Sequence, residues 1–134
     1  YGEDLKFEDF RRAQLTEAQE VISRQSELHP RIPVIFGGDL NVAPEGNSYT
    51  PLWDELSQIF AGFSRYVPKR AVSTRSKGNP YSHEEEGQLD HIFATTDLKP
   101  IRGQVMFNTE GTYFSDHFGW ETQFIQNLDN TASN

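Results

Sequence analysis

Apolar side chains recur with helical spacing early in the chain. Leu15, Ala18 and Ile22 fall at i, i+3 and i+7 with Val21 beside them, while Glu17, Glu20 and Arg24 take the other side. That spacing predicts an amphipathic helix from Phe7 to about Gln25, ended by Leu28-His29-Pro30-Arg31. It reads as a packing element that carries no chemistry. A second stripe, Leu52, Leu56, Ile59 and Phe60, runs to Gly62. Thr50 and Pro51 supply its N-cap and first-turn proline, and the loop Ala43 to Ser48 precedes it.

Between and after the helices the period changes from 3.6 to 2. Val34, Ile35 and Phe36 predict a buried strand that drives into Gly37-Gly38 and then into Asp39 and Asn41. On an extended backbone Asp39 and Asn41 point to one side, as they would at the rim of a site. An Asx-type turn after the strand is the plainer alternative. From Leu89 to Ala94 a second strand turns Leu89, His91 and Phe93 one way and Asp90, Ile92 and Ala94 the other. Asp90, an acid in an apolar strand, requires a partner to offset its desolvation. A third strand, Ile101 to Phe107, follows a turn closed by Lys99-Pro100, and Glu121 to Ile125 alternate as a fourth.

Residues 63–88 are the least regular. Arg65, Lys69, Arg70, Arg75 and Lys77 crowd a stretch without an acid, a run that reads first as a solvated loop and second as a receiver of phosphate or an anionic surface. His83-Glu84-Glu85-Glu86 cannot converge on one ion from consecutive positions and reads as exposed.

Composition narrows the classes. The 134 residues suit one small domain, and 35% hydrophobic with 13% aromatic content can fill a core. A net charge of −8 opposes broad charge-driven nucleic-acid binding. No cysteine is present, which excludes disulfides and thiolate metal sites. There is no run of 18 apolar residues and no visible targeting signal, so the chain is expected to be soluble, with its location open. It starts at Tyr1, which suggests a processed or truncated product.

Three polar signals end apolar strands: Gly-Asp-x-Asn at 38–41, Leu-Asp-x-Ile at 89–92 and Ser-Asp-His at 115–117. In that order and spacing they resemble the endonuclease/exonuclease/phosphatase superfamily. Gly-Gly-Asp-Leu-Asn-Val, Leu-Asp-His-Ile-Phe and Tyr-Phe-Ser-Asp-His-Phe look most like its neutral sphingomyelinase branch.

The resemblance implies an α+β fold, half of a four-layer α/β sandwich with helix-flanked, mostly antiparallel sheet of the deoxyribonuclease type. Residues 1–126 would be the C-terminal half of one such domain and 127–134 a polar, frayed tail. It implies that Asp39 orients or deprotonates a water and that Asn41 holds that water or a phosphoryl oxygen. His117, paired with Asp90, would act on the phosphate, so Asn41 and His117 also bind substrate. Asp116, with Asp39, would contact magnesium, or manganese or calcium in its place. The main glutamate ligand is expected in the N-terminal half, which this chain lacks. That half, or a second chain, would complete the sheet; alone, the chain is expected to dimerise. The expected reaction is metal-dependent hydrolysis of a phospholipid-like or other small phosphodiester. A nuclease of the same superfamily is the second reading, and an inactive half-domain used for binding or scaffolding the third.

Overall fold

The computed structural model describes residues 4–44, 52–75, 78–82, 86–109 and 111–126. Helix α1 (Asp4–Leu28) buries Leu15 and Ile22, with Ala18 partly covered, as the stripe requires. Val21 departs from expectation: it is 55% exposed, because it lies at the edge of the buried stripe. Helix α2 (Trp53–Ile59) buries Leu56 and is flanked by buried Leu52 and Phe60. Its expected start at Thr50-Pro51 lies outside the described residues. Arg12 staples the helices through a two-pronged contact with Glu55, Nε to Oε2 at 2.5 Å and Nη2 to Oε1 at 2.9 Å. The pairing raises the arginine's pKa and lowers the glutamate's.

Strands β1 (Ile35–Asp39), β2 (Ser64–Arg65) and β3 (Asp90–Ala94) form an antiparallel sheet in the order β1-β3-β2. The register sets Ile35 against Ala94 and Asp39 against Asp90. Two acids therefore meet where β1 ends and β3 begins. Gly37 is needed there: a Cβ on it would lie 2.9 Å from the His91 carbonyl oxygen. The helices cover one face of this sheet, where Phe60 stacks on Phe36 and Phe93 with ring centroids 5.7 and 4.5 Å apart. Ile35 was expected to be buried but is 58% exposed, since β1 forms the sheet's edge.

Strands β4 (Leu98–Met106) and β5 (Gly119–Gln126) make a separate antiparallel pair. β4 begins three residues before the expected Ile101 and takes in Pro100, whose missing N–H is accommodated beside a register shift between Pro100 and Arg102. Phe107 lies beyond its end, in the left-handed region with φ 59°. Gly103 lets the strand pass the Tyr66 and Trp120 rings, which a Cβ would strike at 2.5 and 2.9 Å. Ser64 ties the sheets together by donating to the Leu98 carbonyl at 2.6 Å. Among the described residues no helix is long and apolar enough to cross a membrane.

Candidate active site

Where β1 stops, the chain turns on itself through Asp39. The Asn41 N–H donates to Asp39 Oδ1 at 2.9 Å and its side-chain amide reaches Oδ2 at 3.4 Å. Asn41 takes a left-handed φ of 51°, a conformation asparagine tolerates. The two side chains thus meet through an Asx turn rather than through strand alternation, so the plainer alternative and the rim geometry hold together. Helix α1 reaches this corner as a packing element: Arg11 Nη1 donates to the Asn41 carbonyl at 3.4 Å.

His91 anchors the next turn from beneath. It is 2% exposed, and its Nε2 lies 2.7 Å from the Val42 carbonyl. A carbonyl only accepts, so Nε2 carries the proton. Burial lowers the His91 pKa and keeps the ring neutral.

On the opposite face of β3, Asp90 finds its partner. Its Oδ2 accepts from His117 Nδ1 at 2.8 Å. That fixes the ring with the proton on Nδ1 and turns Nε2 toward two further carboxylates. Asp39 Oδ2 lies 3.8 Å and Asp116 Oδ2 4.0 Å from Nε2. Both distances exceed a direct hydrogen bond. Asp39, Asn41, Asp90, Asp116 and His117 therefore share one corner of the molecule.

Three residues not singled out as site residues in the sequence hold that corner together. Thr74 is fully buried, and its hydroxyl accepts from the N–H groups of Leu89 and Asp90 at 3.1 and 3.3 Å. Its carbonyl accepts from Phe118 N–H at 2.7 Å, so one residue locates both the start of β3 and the segment just after His117. Asn79, 1% exposed, donates to the Ser115 carbonyl at 2.6 Å and accepts from Tyr81 N–H. Arg75 is the third. Its side chain donates to Ser82 Oγ at 3.1 Å and approaches Asp116 Oδ2 at 3.8 Å, while its backbone bridges to His117 and Gly87. A solvated loop was expected for the basic run, but Arg75 is 8% exposed. Hydropathy spacing cannot find such residues, because their partners are backbone groups far along the chain.

Asp39 and Asp116 offer carboxylate oxygens, the hard donors that magnesium, manganese and calcium prefer. Among the described residues no group of three or more acids, histidines or cysteines is arranged to hold a metal. Of His83 to Glu86, only Glu86 lies within the described residues, and it is exposed.

The profile of the Endonuclease/Exonuclease/phosphatase family matches residues 7–117. Two solved structures from Bacteroides thetaiotaomicron are similar. One is a protein of that same family, 17% identical, with 87% of this chain and 46% of that chain covered at a TM-score of 0.54. The other is a mannosyl-6-phosphatase, 16% identical, with 83% and 45% covered at a TM-score of 0.47. The chain thus spans about half the length of each. No curated protein matches it.

Proposed function

Because the chain belongs to the endonuclease/exonuclease/phosphatase family, we propose that the corner around His117 hydrolyses a phosphoester by attack of water on phosphorus. The observation that carries this reading is the 2.8 Å contact from His117 Nδ1 to Asp90, which leaves Nε2 between Asp39 and Asp116. With both ring nitrogens protonated, His117 offers a phosphoryl oxygen a donor at Nε2 whose orientation is already set.

Asp39 takes the proton of the attacking water or aims it. The Asx turn holds its carboxylate, so little reorganisation is needed. Asn41 presents its amide at the same point. His117 binds the phosphoryl group through Nε2, and Asp90 stabilises positive charge on the ring. Asp116, with Asp39, would hold a magnesium ion, which supplies neutralisation of phosphoryl charge when bound. Thr74 and Asn79 keep the two segments in register.

For substrate we favour a phospholipid-like or other small phosphodiester over duplex nucleic acid. The net charge of −8 supports that order, as do the sphingomyelinase-like motifs. Comparing release from sphingomyelin with nicking of plasmid DNA by one preparation decides between them. The mechanism is tested with bis(p-nitrophenyl) phosphate and magnesium. Asp39→Asn and His117→Ala are each expected to lower kcat by about 100-fold or more. Full activity in either variant would remove the assigned roles. No hydrolysis by the unaltered chain, with no heat on titrating magnesium, would favour the binding module instead.

A further inference from the structure

A concavity accompanies the reaction corner. A cleft of about 420 Å³ opens beside it, walled by Pro44, Trp53, Arg65, Lys69, Arg70 and Gln88. Pro44 follows the Asx turn by three residues and Gln88 precedes Asp90 by two. The cleft is therefore built on the chain segments that lead into the reaction corner. In the sheet register Arg65 pairs with Phe93, which places its side chain on the face of β3 opposite Asp90.

Arg65 is the notable group. Its guanidinium lies over the Trp53 ring, 4.6 Å from the centroid, and desolvation lowers its pKa. No carboxylate of a described residue pairs with it, and none pairs with Lys69 or Arg70. Three cations thus line one cleft of a protein whose net charge is −8, with Glu86 the one acid among the described residues of its wall. Stacking on the indole leaves the guanidinium edge available to a planar or tetrahedral anion, which an arginine fork recognises through paired N–H bonds.

We propose that this cleft binds a phosphate group at a site separate from the reaction corner. Anion binding in the cleft does not rest on the phosphoesterase reading. A multiply charged oxyanion fits three unpaired cations better than a single carboxylate does.

The test reads binding without turnover. Trp53 is one of two tryptophans, so pyrophosphate titrated into the whole chain is expected to give a saturable fluorescence change that Trp53→Phe removes. Arg65→Gln should weaken it at least tenfold. The double variant Lys69→Gln/Arg70→Gln, both exposed positions, should also weaken it and keeps the test open if Arg65→Gln fails to fold. His117→Ala should leave the binding constant unchanged. In a turnover arm, the double variant should leave kcat and KM for the simple diester unaffected. No saturable change, affinity unchanged from the unaltered chain in both basic variants, or loss of binding in His117→Ala would overturn the cleft. Binding that persists in a chain without hydrolysis would uphold the cleft's anion binding and reject the phosphoesterase reading.

Discussion

Two histidines one strand apart divide the work. His117 exchanges a hydrogen bond with a carboxylate and keeps one nitrogen open; His91 is sealed against a carbonyl. The second has a measurable consequence for stability. Burial holds the folded pKa of His91 below its ordinary 6.5, so between the two values the unfolded chain binds more protons. Stability therefore rises with pH across that window and falls as acid is added below about pH 6.5. Thermal melts from pH 7.5 to 5 should show this loss, and His91→Gln should flatten it. An unchanged slope in that variant would assign the acid sensitivity to other groups.

Among the elements, the irregular stretch before β3 contributes more than its composition suggests. Thr74 serves two backbone donors with one hydroxyl and a third with its carbonyl. Thr74→Val keeps the shape but strands the N–H groups of Leu89 and Asp90, so it should cost about 2–3 kcal/mol in urea unfolding. Activity should fall with it, since Asp90 and His117 lose a common reference point. Phe60→Ala, by contrast, opens the aromatic stack and should cost about 3–5 kcal/mol. The helices and the strands at Ile35 and Asp90 were legible because a stripe or an alternation states which face is covered. The early start of β4, the exposure of Ile35 and the burial of Arg75 were not. Each depends on what lies across from it in space, and periodicity carries only what lies along the chain. The candidate site was partly legible for the same reason: acids beside apolar runs declare themselves, while Thr74 and Asn79 look like ordinary loop residues.

At the scale of the whole molecule, two helices close one face of the three-stranded sheet, and β4-β5 form a second sheet beside it. The outer edge of β1 pairs with no described strand, and Ile32 and Ile35 beside it are 62% and 58% exposed. Such an edge favours pairing between chains. Light scattering of the isolated chain is expected to show concentration-dependent dimers, weakened by Ile35→Lys; a monodisperse monomer throughout would reject that association.

The account turns on Asp90 and His117 acting as one unit on a phosphoester. A double-mutant cycle on kcat/KM for bis(p-nitrophenyl) phosphate, with Asp90→Asn, His117→Ala and the pair together, measures that directly. Each single change should lower the rate about 100-fold or more, and the double variant should be no slower than His117→Ala. Losses that simply multiply, or a His117→Ala protein as fast as the unaltered chain, would contradict it.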